Sequence, residues 1–179
     1  MCIRDSYAAE SGGVIYVNGR VQVNIAETLF FKNFAKSAGA MAAYKYSQVY
    51  ISDSNFTANE GVSYTGTIKA YDYSSLTLNS SKLHHNTVQQ SVGVVSAGDN
   101  STLKIIDCSF RNNTSQLKNA GAIYLEVKTV LLVERTEFIH NQAAQIGGVL
   151  NMYKNCSACL LYTSPSPRDA TLSRMPSSA

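Results

Sequence analysis

The feature that most constrains the fold of this chain is a repeat of about 27 residues. A glycine recurs at intervals of 26, 27, 27, 28 and 27 residues, and an asparagine follows each of the first five glycines after 20 residues. The spacing from asparagine to the next glycine varies, which is typical of a rigid coil closed by one adaptable turn. The glycines are Gly13, Gly39, Gly66, Gly93, Gly121 and Gly148, and the asparagines are Asn33, Asn59, Asn86, Asn113 and Asn141.

Apolar residues alternate at fixed positions within each repeat. They stand two and four residues after the glycine, as in Ile15 and Val17, and again ten and twelve residues after it, as in Val23 and Ile25. Alternation predicts strands, about three short ones per repeat, whose apolar sides become buried only when repeats stack. The sequence therefore predicts an all-β fold, a right-handed parallel β-helix (solenoid) of about five coils of 26–28 residues.

The recurrent polar and small residues have roles in such a solenoid. We expect the asparagines to form a ladder in which each amide bonds to the amide one coil away or to turn backbone. The glycine suits a turn that a Cβ would crowd. A leucine-rich repeat shares the period, but its pattern is not met, because the pair Leu76 and Leu78 lies too far from Asn86.

Composition excludes some classes of function. Charged residues make up only 15% of the chain and the net charge is +3, so we expect no nucleic-acid partner. The apolar runs are too short for a transmembrane helix. Neither a phosphate-binding glycine loop nor a nucleophile–histidine arrangement is evident, and we expect no catalytic residue, metal or cofactor.

The two ends differ from the repeats. Residues 1–6 and 159–179 resemble translated sequencing-adapter read-through, and all three prolines fall in the second stretch. We expect both ends to be artefactual, the second as a disordered tail, and residues 7–158 to be a β-helix fragment of a longer protein.

Two tetrapeptides repeat together along the chain. One is Gly-Gly-Ala-Ile-like, as in residues 12–15 and 120–123, and the other is Phe-x-x-Asn, as in residues 30–33 and 110–113. In this combination the chain resembles the repeats of chlamydial-type polymorphic outer membrane proteins. The third coil departs from both motifs, with Thr-Gly-Thr-Ile and Leu-His-His-Asn. The resemblance implies a right-handed β-helix in a secreted, adhesive passenger, located outside the cell or at its surface.

Tyrosines form the most distinctive surface feature. Tyr44 and Tyr71 occupy one column of the repeat, and Tyr46 and Tyr73 occupy the column two residues on. We expect a two-by-two patch on one face, suited to a glycan or to a host or partner surface protein. Stacking for stability alone is the other interpretation of these columns.

Acidic residues and histidines allow alternatives. Glu27, Asp53 and Asp107 share a column interrupted by Ser80, while Asp72 and Asp99 share another. These acids are interpreted as solvated turn residues, with a calcium or catalytic site as the alternative. The histidines are interpreted as solvated turn residues as well.

Sequons of the N-x-S/T form suggest glycosylation on outer turns if the protein is eukaryotic and secreted. The alternative is that a chain rich in Asn, Ser and Thr contains such triplets by chance. Asn113 lies in a sequon too but is a poor acceptor because it belongs to the ladder. The candidate acceptors are Asn55, Asn79, Asn100, Asn112 and Asn155.

These observations predict a non-enzymatic adhesion, binding or spacer module. The alternative is a non-catalytic part of a pectate-lyase-like polysaccharide lyase or hydrolase, whose catalytic coils would lie outside this chain.

Overall fold

Each turn of the chain contributes one strand to each of four parallel sheets. The computed structural model describes residues 1–90 and 92–161. Every sheet has six strands, and neighbouring strands come from successive coils. All pairings are parallel, and register partners lie one repeat apart, as in Val49 with Leu76 and Leu76 with Leu103. The predicted all-β parallel solenoid is confirmed, with about six turns.

The strands are numbered in chain order, and the sheets are lettered in the order in which a coil passes through them. Sheet A contains β1 (Cys2–Arg4), β5 (Leu29–Phe31), β9 (Asn55–Thr57), β13 (Lys82–His84), β17 (Ser109–Arg111) and β21 (Glu137–Ile139). Sheet B contains β2 (Tyr7–Ser11), β6 (Phe34–Ser37), β10 (Glu60–Gly61), β14 (Thr87–Val88), β18 (Thr114–Ser115) and β22 (Gln142–Ala143). Sheet C contains β3 (Ile15–Asn18), β7 (Met41–Tyr44), β11 (Ile68–Ala70), β15 (Val95–Ala97), β19 (Ile123–Glu126) and β23 (Leu150–Tyr153). Sheet D contains β4 (Gln22–Ala26), β8 (Gln48–Ser52), β12 (Ser75–Asn79), β16 (Thr102–Ile106), β20 (Val130–Glu134) and β24 (Ser157–Leu161).

A coil has four strands rather than the three that alternation predicts. The additional strand lies in sheet B, directly after the ladder asparagine, and in coils such as Glu60–Gly61 it has only two residues. Two residues are too short for a period-two pattern to be visible in sequence. Backbone pairing with the neighbouring coils defines these strands instead.

The core is a column of identical positions stacked along the solenoid axis. Ile51, Leu78 and Ile105 are register partners in sheet D, and all three are fully buried. In sheet A, the buried rings of Phe30 and Phe56 stack with their centroids 4.5 Å apart. Similar side chains at equivalent positions of successive coils therefore pack closely against one another along the axis.

The corner between sheets D and A is built by residues in the left-handed backbone region. Glu27, Asp53, Ser80 and Asp107 all have φ values between 47° and 52°. One position later, a small polar residue turns inward. The Ser54 hydroxyl donates to the Ser52 carbonyl oxygen at 2.7 Å and accepts from the Thr28 amide at 3.2 Å. A hydroxyl therefore satisfies the backbone that this turn leaves open.

The asparagine column forms a continuous buried ladder. Asn86 illustrates it: its Nδ2 donates to Asn113 Oδ1 at 3.1 Å and to the Phe56 carbonyl oxygen at 2.8 Å. Its Oδ1 accepts from the backbone N–H and Nδ2 of Asn59, at 2.9 and 3.0 Å. Both donors and both acceptor positions of the amide are thus used, which removes the cost of burying it.

The recurrent glycine lies where the backbones of adjacent coils approach most closely. A Cβ at Gly39 would overlap the carbonyl oxygen of Glu60, and one at Gly121 would overlap that of Gly148. The crowding is milder at Gly66, where a Cβ would lie 3.0 Å from the Thr87 carbonyl oxygen. Gly93 instead has a φ of 65°, which disfavours residues with a side chain.

The solenoid continues beyond the predicted limits at residues 7 and 158. Strand β1 pairs with β5, so that Ile3 stands in register with Phe30 and packs against the core. At the other end, β24 pairs with β20 through Leu161. An open parallel edge accepts a segment through backbone hydrogen bonds, whatever the origin of that segment. The artefactual origin of the ends stays a prediction, and residues 162–179 lie outside the described part of the chain.

Candidate functional site

Two of the predicted tyrosines form an exposed stack at the corner between sheets C and D. The Tyr46 and Tyr73 rings lie with centroids 5.1 Å apart and planes 12° from parallel. The two residues remain 52% and 54% exposed. The Arg20 guanidinium, one coil earlier in the same column, lies 5.6 Å from the Tyr46 ring centroid. We call Arg20, Tyr46 and Tyr73 the tyrosine ridge.

The other two predicted tyrosines do not join this stack, so the expected two-by-two patch is wrong in arrangement. Lys45 and Tyr46 both have positive φ values, 55° and 64°, and the chain therefore turns a corner between the two columns. Tyr44 lies on the outer face of sheet C beside Tyr16, with ring centroids 5.6 Å apart. Tyr71 reaches two coils further, where its hydroxyl donates to Glu126 at 3.2 Å. Alternation alone placed all four rings on one face because it did not account for this turn.

A groove lined by Arg20 and by uncharged polar side chains begins beside the tyrosine ridge and continues along sheet D. Its first part, about 390 Å³, lies between Tyr46 and the side chains of Gln22 and Gln48. Its second part, about 340 Å³, shares both glutamines and extends over Tyr50 and Thr77. We call the surface formed by these five residues the amide groove. It offers amides, hydroxyls and aromatic rings, which is the chemistry that recognises hydroxyl-rich ligands.

The acidic column does not form a carboxylate pair around Asp107. Arg135, one coil later, binds Asp107 in a bidentate ion pair with N–O distances of 2.7 and 2.9 Å. This guanidinium lowers the pKa of the Asp107 carboxyl, and Asp107 in turn raises the pKa of Arg135. Within residues 1–90 and 92–161, no three His, Cys, Asp or Glu side chains are grouped closely enough to hold a metal ion.

A histidine–hydroxyl contact that sequence analysis missed lies on the outer face of sheet A. His84 Nε2 is 3.0 Å from Ser109 Oγ, and Ser109 also hydrogen-bonds Glu137. Glu137 is bound by Arg111, whose Nε lies 2.9 Å from Oε1. The pKa of His84 is lowered, mainly because the imidazole is partly buried and to a smaller extent because the positive charge of Arg111 is near. The neutral imidazole is therefore favoured. The interpretation of His84 as a solvated turn residue is therefore wrong, because the side chain is half-buried and belongs to a strand.

This contact differs from a catalytic triad. In a triad the carboxylate orients the imidazole and the imidazole activates the hydroxyl. Here the carboxylate of Glu137 bonds to the hydroxyl of Ser109 itself and to Arg111. The sequence signal for this contact is a diagonal pair on neighbouring strands. His84 is the last residue of β13, and Ser109 is the first residue of β17 one coil later.

The cysteines and sequons occupy contrasting places. Cys108 is a buried free thiol in the small-residue corner column, and burial raises its pKa to about 11, which makes it unreactive. Among the candidate acceptors, Asn100, Asn112 and Asn155 are exposed in turns, whereas Asn55 and Asn79 are half-buried in strands. Glycosylation of any of them stays a prediction.

Comparison with known families gives a match over most of the chain. Residues 3–162 match the family described as the right handed beta helix region. The chain belongs to this right-handed β-helix family. The match extends over the tyrosine ridge, the amide groove, the last strand and all but the first residue of β1, and it supports the right-handed coil. No curated protein and no solved structure matches the chain. In the described part of this β-helix, no helix is long and apolar enough to cross a membrane.

Proposed function

We propose that this β-helix is a non-enzymatic binding module of a secreted or cell-surface protein and that it binds a glycan. The observation that carries the proposal is the exposed, stacked pair Tyr46 and Tyr73 beside a groove of hydrogen-bonding side chains. Resemblance to polymorphic outer membrane protein repeats supports a surface location. A host or partner surface protein is the other class of ligand that these columns suit.

The geometry of the ridge suits a sugar ring. The Tyr46 ring lies between Tyr73 and the Arg20 guanidinium, so the stack offers a ligand its exposed ring edges and the face of Tyr73 that is turned away from Tyr46. An exposed aromatic ring packs against the C–H face of a pyranose. The Gln22 and Gln48 amides beside it can each donate to and accept from hydroxyl groups. Because the groove continues over Tyr50 and Thr77, several successive sugar units could be held along the solenoid axis.

A catalytic site among the described residues has less support than a binding site, and a non-catalytic part of a lyase or hydrolase stays the alternative. The strongest acidic candidate, Asp107, is neutralised by Arg135, and Ser109 is bonded directly to a carboxylate. Glycoside cleavage uses two carboxyl groups, one as an acid and one as a base or nucleophile, and neither of these two sites provides such a pair.

Binding to a panel of immobilised neutral glycans tests the proposal. The double variant Tyr46→Ser, Tyr73→Ser should bind at least tenfold more weakly, a loss of about 1.4 kcal/mol or more. Tyr7→Ser is the matched control, because Tyr7 is at least as exposed and stacks on Phe34 at 5.5 Å, but in sheet B. Circular dichroism establishes that each variant is folded. Binding that survives the double variant, or that the control reduces equally, would contradict the proposal.

A further inference from the structure

A second cleft crosses the outer face of sheet C and is chemically unlike the amide groove. Its volume is about 630 Å³, which is within the range of small-molecule sites. Aromatic rings and charged groups both line it, with acids outnumbering lysines. The lining includes Tyr44, Tyr64, Lys69, Tyr71, Asp72 and Asp99.

Three tyrosine rings in this cleft surround a single ammonium group. Lys69 Nζ lies 4.4 Å from the ring centroid of Tyr71, 5.3 Å from that of Tyr64 and 5.4 Å from that of Tyr44. A cation within about 6 Å of a ring centroid is attracted by the negative face of the ring. Three rings at these distances form an aromatic cage, and Lys69 occupies it.

The cage is held in place by contacts outside it. The Tyr71 ring lies across the backbone of Gly98, where a Cβ would come within 2.5 Å of Cε1, and its hydroxyl is held by Glu126. Tyr44 is supported from the preceding coil by Tyr16. Preformed walls reduce the entropy that a ligand must lose on binding.

The charges in the cleft also favour a cation. Asp72, Asp99 and Glu126 line it together with Lys69 and Lys118. None of the ion pairs found among residues 1–90 and 92–161 involves Lys69. The ammonium of Lys69 is therefore held by ring faces, while the carboxylates of Asp72 and Asp99 in the cleft attract an incoming cation.

We propose that the cage of Tyr44, Tyr64 and Tyr71 is a binding site for an organic cation and that Lys69 is its built-in competitor. The ligand class is a quaternary or methylated ammonium group. Such a group loses less hydration than a primary ammonium does when it enters an aromatic cage, and it presents C–H groups to every ring. Entry of the ligand moves the Lys69 ammonium out toward the acids of the cleft.

This inference goes beyond the proposed glycan binding and does not depend on it. The tyrosine ridge and the cage share no residue, and they face different sides of the corner between sheets C and D. Loss of glycan binding in the Tyr46, Tyr73 double variant leaves the cage unaffected, and failure of the cage leaves the ridge unaffected.

Choline binding, followed by tyrosine chemical shifts in NMR, tests the inference. The unchanged chain should bind choline weakly, because the tethered lysine competes at high effective concentration. Lys69→Ala should bind choline at least tenfold more tightly. Lys69→Gln, which keeps most of the side-chain stem without its charge, should give a smaller gain in the same direction. Lys104→Ala is the matched control, an exposed lysine on the outer face of sheet D, and should behave as the unchanged chain.

Two further measurements establish whether the three rings themselves hold the cation. Adding Tyr64→Ser to Lys69→Ala should reverse the gain, since Tyr64 contributes one ring and is exposed enough to be replaced without loss of fold. The neutral isostere 3,3-dimethylbutan-1-ol should bind Lys69→Ala at least tenfold more weakly than choline does. The inference is overturned if folded Lys69→Ala and Lys69→Gln bind choline no better than Lys104→Ala. Equal binding of the neutral isostere, or a gain that survives Tyr64→Ser, also overturns it.

Discussion

The asparagine ladder and the tyrosine corner each occur once per coil, yet they differ in how strictly the sequence repeats. At the ladder every coil from Asn33 to Asn141 has the same residue, and four of the five are fully buried. At the tyrosine corner the equivalent positions are Arg20, Tyr46, Tyr73, Asn100 and Lys128. The backbone is left-handed at each of these positions except Arg20, but the side chains are exposed to solvent.

The difference has a physical cause. A buried amide needs a partner of matching geometry, and its copy one coil away supplies it, so the ladder cannot vary at one position alone. An exposed side chain has water as its partner and is unconstrained by its neighbours. Columns that repeat therefore stabilise the coil, while columns that change carry the features that distinguish one coil from another, including the ridge and the cage.

The largest expected effect comes from breaking the ladder at its centre. Asn86→Ala removes the side-chain partner of the Asn59 backbone N–H and of the Phe56 carbonyl oxygen in the interior, and it removes one of the two donors to Asn113 Oδ1. We expect a loss of about 3–5 kcal/mol in the free energy of unfolding. Urea denaturation measures it. Asn24→Ala, on an exposed strand position of sheet D, is the control and should cost under about 0.5 kcal/mol. Similar losses in the two variants would show that the ladder does not stabilise the coil more than a surface amide does.

A smaller effect is expected from filling the space under Tyr71. Gly98→Ala places a methyl group against the Tyr71 ring and should displace it from Glu126, at a cost of about 1–2 kcal/mol. In a Tyr71→Ala background the same change should cost almost nothing, because the ring that it meets is gone. Unfolding measurements on the four members of this double-mutant cycle check the coupling. Additive losses would mean that Gly98 is required for the backbone and not for the ring.

The smallest expected effect is on pH dependence at the sheet A contact. Because the pKa of His84 is lowered from 6.5 in the folded chain, the unfolded chain binds more protons just below that pH. The free energy of unfolding should therefore fall as the pH drops below about 6.5, and His84→Gln should weaken this dependence. Urea midpoints of both chains on either side of pH 6.5 test it. An identical pH dependence in the variant would show that His84 titrates alike in the folded and unfolded chains.

The sequence was sufficient for the repeat, the parallel strands and the positions of the core, because burial imposes the same residue type at the same position in every coil. Phe30, Phe56 and Phe110 could be placed inside from spacing alone. The sheet B strands could not be predicted, since two residues such as Glu60 and Gly61 show no alternation.

The candidate site was only partly predictable. Tyr46 and Tyr73 were placed in one column, and their stacking follows from the register of the coils. The separation of Tyr44 and Tyr71 from them was not predictable. Lys45 and Tyr46 are two consecutive left-handed residues, and neither residue type indicates a left-handed backbone in the sequence. The cage was missed for a related reason: Tyr64 belongs to the segment of variable length before Gly66, whose path the repeat does not determine.

What the sequence by itself determined is therefore the one-dimensional order of this protein: the period, the ladder, the inward columns and the right-handed β-helix they imply. Only the tertiary structure decided which exposed side chains meet. Contacts such as Tyr71 with Glu126, or Lys69 with three rings, depend on turn conformation and on reach between coils. Burial repeats a constraint in every coil and so leaves a pattern in the sequence, whereas a surface contact is made once and leaves none.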